Sequence, residues 1–240
     1  MSPAAKLTRG PIAPTLSGLA IPTFFGIITI LSFNLVDTYF VGLLGTIPLA
    51  AISFTLPVAF TVMNLAMGLG IGTSASLARL IGSGRIEEAR RFTTHALLLS
   101  VVLVVALAIC GILTIDSLFK ALGAEAHLLP IIRDFMTIWY AGVGFLVIPM
   151  VGNAAIRATG DTRTPSKIMA VAGVMNGIFD PILIFGWGPF PELGVKGAAI
   201  ATVIAWMFSC AASIWILYYR EKLLDLSFPK MGELIESWKP

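Results

Sequence analysis

Two aspartates stand inside long apolar stretches, Asp37 in the first of them and Asp180 in the fifth. An ionised carboxylate at the middle of a membrane costs about 2.5–3.5 kcal/mol on insertion scales, so each needs a reason to be there. Asn176 lies four residues before Asp180, which places both side chains on one helix face. Pro181 follows directly and, lacking an N–H, frees the carbonyl of Gly177 one turn back. Thr202, early in the sixth stretch, adds a hydroxyl at comparable depth. Asp37 and Asp180 each lie roughly two turns from the outer end of their stretch, so they share a level in the membrane. Two carboxylates, an amide and a hydroxyl are hard oxygen ligands suited to H+ or Na+, and nothing in the sequence chooses between them. Two carboxylates close together in low dielectric do not both ionise easily, and one that titrates carries a proton between conformations. The plainer reading gives one aspartate a buried structural hydrogen bond and the other a wet crevice.

The elements that must hold these residues are membrane helices. The chain has 240 residues, 57% hydrophobic and only 12% charged, with mean hydropathy +0.92. A soluble domain carries about 25% charged residues, so lipid is the solvent for much of this surface. Six stretches reach the ~20 apolar residues of a spanning helix: Leu16–Leu44, Leu49–Ala78, Thr93–Ile115, Ile131–Ile156, Ser166–Trp187 and Gly197–Tyr219. Pro22 and Pro57 interrupt the first two. Of the 16 Lys and Arg, only Lys120, Arg133 and Lys196 fall on one side of the membrane; the rest share the other, which puts both termini in the cytoplasm. The same asymmetry argues against a dual-topology dimer. The first residues are too polar for a secretory signal, and the first helix is retained. No basic run tracks phosphates, so a nucleic-acid partner is not expected.

Other features carry no chemistry of their own. Cys110 and Cys210 read as small packing residues, and His95 and His127 have no second ligand at metal spacing. Gly68 and Gly72 form a small-xxx-small pair, which predicts close helix packing. Several methionines, among them Met63, Met67, Met150 and Met207, have the adaptability to line an apolar cavity. Gly160 to Pro165 reads as a turn capping the fifth helix. No nucleophile–base pair or phosphate cradle occurs, so an enzyme is not expected, and no cofactor beyond a coupling ion.

Four segments resemble the multidrug and toxic compound extrusion (MATE) transporters. They are Asn34 to Gly42 followed by Gly45 to Ala51, Gly82 to Arg91, Asn153 to Pro165, and Asn176 to Pro181, in the family's order. The acidic pair is similar to the prokaryotic branch that includes the DNA-damage-inducible and archaeal members. The resemblance implies an all-α membrane protein whose six transmembrane helices form one lobe of a two-lobe, twelve-helix transporter. It implies cation-coupled (H+ or Na+) antiport of drugs or other organic cations by alternating access, in a prokaryotic plasma (inner) membrane. The cation site would use Asp37, Asn176, Asp180 and Thr202, with Na+ as the metal-ion alternative to a proton. Pro22 would be a hinge, and Asn153 and Tyr140 would face the substrate cavity. The expected organisation is a cytoplasmic N-terminus at 1–15, a six-helix lobe at 16–219, and a cytoplasmic linker at 220–240 towards a missing second lobe, in cis or as a separate chain. Two other classes remain open. A lipid-linked-precursor flippase of a related fold is disfavoured by the lack of mid-membrane Lys or Arg, and a non-transporting fragment is the third reading.

Overall fold

The computed structural model describes residues 12–224. Six helices occur among them: α1 Ile12–Leu43, α2 Thr46–Gly82, α3 Ile86–Ala121, α4 Leu129–Ala158, α5 Arg163–Phe185 and α6 Val195–Trp215, the last running into a π-helical turn at Ile216–Arg220. The helices α2 to α6 are long and apolar enough to cross a membrane, and α1 carries an apolar stretch at Leu16–Gly26. The expected linker at 220–240 and N-terminal segment at 1–15 lie largely outside the described residues. Pro22 falls within α1, but its side chain is outside them too.

Several helices outrun their apolar stretches, because charged turns extend them. Glu87 and Glu88 open α3, where the helix dipole favours acids, and Arg79 and Arg157 close α2 and α4, where it favours bases. The central helix is α4, which packs on α2, α3, α5 and α6 and buries Ile132, Met136, Val143, Val151 and Ile156. Trp139 of α4 meets Trp206 of α6 edge to face, with ring centroids 5.7 Å apart. At the end opposite the chain termini, Val41 of α1, Ile184 of α5 and Ala198 of α6 form a smaller core.

The loop after α5 determines where α6 lies. Gly186 ends α5 at φ 70°, a left-handed conformation that glycine adopts without strain. The chain then folds back, with Leu193 N–H donating to the Leu183 carbonyl at 3.1 Å and Gly194 N–H to that of Ile184 at 3.0 Å. A Cβ on Gly197 would lie 2.3 Å from the Leu183 carbonyl oxygen, so only glycine lets α6 start this close to α5.

Close packing does not fall on Gly68 and Gly72. A Cβ on either would meet nothing within 4 Å, whereas one on Gly70 would touch the Met150 carbonyl oxygen and the Ala154 methyl, both at 3.4 Å. The buried stripe of α2 runs through Ala66, Gly70, Thr73 and Leu77, which turns Gly68 and Gly72 outward. Cys110 likewise faces out of the bundle, while Cys210 is buried.

Candidate cation site

The residue pattern of α5 puts Asn176 and Asp180 one turn apart on the face shared by α1 and α6. Asn176 Nδ2 donates to Asp180 Oδ1 at 3.2 Å and reaches Thr202 Oγ1 on α6 at 3.5 Å. The Thr202 hydroxyl donates to the Ala198 carbonyl one turn back, at 2.9 Å, which fixes its rotamer. From the other side Asp37 of α1 comes near enough to Asp180 for the two carboxyl groups to interact. Asp37, Asp180, Asn176 and Thr202 therefore stand in one chain of contacts across three helices.

Asp180 is fully buried and Asp37 half-buried. Asp37 Oδ1 and Asp180 Oδ2 are buried acceptors without a protein donor. Leaving such an atom unpaired costs about 1–3 kcal/mol, which sets these two oxygens apart from most other buried polar side-chain atoms of the bundle. The donor set fits a proton as it stands: Asn176 presents its NH2 to Asp180 and supplies no oxygen towards the pair. A sodium ion would need that amide turned over to offer its carbonyl. Among the described residues no group of three or more His, Cys, Asp or Glu gathers as a metal centre.

Tyr140 and Asn153 do not join this cluster. Tyr140 is 2% exposed, with its ring lying over Gly111 of α3, and Asn153 is 4% exposed, accepting from Ser213 Oγ of α6 at 2.9 Å. Both are packed inside the bundle. Polar residues exposed on α1 and α2 include Asn34 and Thr38, and Ser53, Thr61 and Asn64. Thr38, Ser53, Thr61 and Asn64 each donate to the carbonyl one turn back, and Leu35, Leu56, Phe60 and Leu65 are exposed among them. The helical spacing of these polar residues, continued by Gly68 and Gly72, is the sequence signal that would have found them.

A second polar cluster closes the opposite end. Asp161 Oδ1 accepts the backbone N–H groups of Arg163 and Thr164, both at 3.0 Å, and so caps α5. Its other oxygen receives the Arg220 guanidinium, which also donates to Thr164 Oγ1 at 2.8 Å. Burial alone would raise the Asp161 carboxyl, but the Thr164 hydroxyl and N–H and the Arg220 guanidinium outweigh it and hold it below its ordinary value.

The fold is shared with known proteins. The family model MatE matches residues 22–182. The FAD transporter of Shewanella oneidensis is 44% identical over 232 residues, which cover 97% of this chain and 51% of that protein. The multidrug export protein MepA of Staphylococcus aureus is 24% identical over 219 residues, 91% of this chain and 47% of its own length. Among solved structures, a variant of the Vibrio cholerae MATE transporter VcmN superposes with a TM-score of 0.87 at 30% identity, over 98% of this chain and 52% of that one. The chain thus spans about half the length of the relatives it matches. Those relatives are transporters, not enzymes.

Proposed function

The chain belongs to the MatE family, and from that premise we propose that it is the cation-binding half of a secondary exporter, with Asp37 and Asp180 sharing the coupling ion. The observation that carries this reading is the closeness of two membrane-embedded carboxyl groups, each with one buried oxygen that lacks a protein donor. Entry of a cation between them removes the repulsion that otherwise separates α1 from α5, so occupancy of the site is linked to the placement of α1. The donor orientation of Asn176 favours a proton over sodium as that cation. In this reading both termini lie in the cytoplasm of a prokaryotic inner membrane. The outward polar groups of α1 and α2, rather than Tyr140 and Asn153, line the substrate path against a second six-helix lobe. Transport needs that lobe, since alternating access rocks one bundle against another.

The test is efflux from vesicles carrying the longest reading frame that contains this chain, under separately imposed proton and sodium gradients. A proton gradient should drive export of a cationic dye, and Asp37→Asn or Asp180→Asn should lower it at least tenfold with membrane insertion unchanged. Wild-type rates in either variant would remove the coupling role. The 44% identity to an FAD transporter favours a second substrate reading, an anionic flavin dinucleotide, on the same coupling site. Loading the vesicles with FAD in place of the dye decides between the two substrates.

A further inference from the structure

Phe33 lies one turn before Asp37 on α1, and its ring occupies the space where Gly173 of α5 lacks a side chain. A Cβ on Gly173 would fall 1.9 Å from Phe33 Cδ2 and Cε2, well inside contact; one on Gly177 would stand 3.6 Å from Cε1. The same seam continues in both directions. A Cβ on Gly26 would meet Ser166 Oγ at 3.2 Å, and Phe40 stacks edge to face on Phe185 at 6.3 Å. On α5 the residues Ser166, Gly173 and Asp180 recur every seven positions, and on α1 so do Gly26, Phe33 and Phe40. Gly26 faces Ser166 and Phe33 faces Gly173 in one register, while Phe40 faces Phe185 further along α5. Asp37, one turn beyond Phe33, comes near Asp180, two turns beyond Gly173.

We propose that Phe33 seated on the bare backbone of Gly173 is a positioning contact that sets the separation of Asp37 and Asp180. This rests on the cation-site reading and extends it to residues that touch no ion. The ring is a spacer of fixed thickness: any side chain at 173 pushes α1 outward there, and the carboxyl pair one turn on opens with it. The groups facing the pair are Asp37 from α1, Asp180 and Asn176 from α5, and Thr202 from α6, so the response reads out on few neighbours.

The experiment follows the carboxyl stretching band of the chain in lipid nanodiscs by infrared spectroscopy as pH is varied. Gly173→Ala should shift the titration midpoint by about threefold or more in proton affinity. Adding Phe33→Leu, which thins the spacer, should return it towards wild type. Gly18→Ala adds the same methyl on α1 where nothing lies within 4 Å, and should leave the midpoint unchanged. A folded Gly173→Ala protein with the wild-type midpoint overturns the inference, as does a double variant that stays shifted. Should Gly173→Ala fail to fold, Phe33→Leu alone must shift the midpoint for the inference to stand. Failure of the underlying reading looks different: the band would then titrate unchanged in both Asp37→Asn and Asp180→Asn.

Discussion

Asn176 divides one amide between two acceptors, and that division explains why Asp180 is held yet not satisfied. One Asp180 oxygen takes the amide at 3.2 Å, and the other is buried without a donor. Asp180→Asn would exchange a carboxyl for a neutral group of the same shape and lift the cost of burying it. We expect that variant to unfold about 1–3 kcal/mol later in a thermal or denaturant titration. A loss of stability would show that the carboxyl is a structural anchor instead. The four residues of this cluster were legible in the sequence because each is costly in an apolar stretch. Tyr140 and Asn153 were not legible as core residues: their polarity is visible in the sequence, but the partners that bury them, Gly111 and Ser213, lie on other helices.

At the scale of elements, the six helices, five of them long and apolar enough to cross a membrane, were readable from apolar length, while their ends were not. The helices continue into charged turns whose stability comes from dipole and cap, as at Glu87, Glu88 and Asp161. The phase of α2 was also hidden, since Gly68 and Gly70 look alike until α4 is in place. Asp161 joins the cap of α5 to the exit of α6 through Arg220, and its carboxyl lies below the ordinary value of 3.8. A depressed carboxylate contributes stability that is full above that ordinary value and is lost as pH falls through the lower folded one. Acidification below about pH 4 should therefore loosen this end, read as faster amide exchange at Arg163 and Thr164. Asp161→Asn should exchange fast at neutral pH already, and its exchange should lose the acid step.

For the whole molecule, the telling feature is which faces are left open. On α1 and α2 the exposed positions include Asn34, Thr38, Ser53, Thr61 and Asn64, whereas α3 exposes Val102, Ile109 and Leu113, the last at 79%. The open face of α1 and α2 mixes these polar groups with exposed Leu35, Phe60 and Ile71, whereas that of α3 is mostly apolar. With Cys110→Ala as background, a cysteine at Asn64 should react with a water-soluble maleimide about tenfold faster than one at Leu113, because thiolate forms only where water reaches. Equal rates would mean that lipid covers both faces. The α5–α6 turn has a consequence for synthesis. Gly186 and Gly197 fold α6 back onto α5 at once, so Asp180 gains Asn176 and Thr202 as company within a single hairpin. Asp37 has no such companion when α1 emerges, and three more helices must leave the ribosome before the one that carries its partner. The nascent chain thus carries an unmatched acid through most of its own assembly, and arrival of the fifth helix is the step that completes the pair.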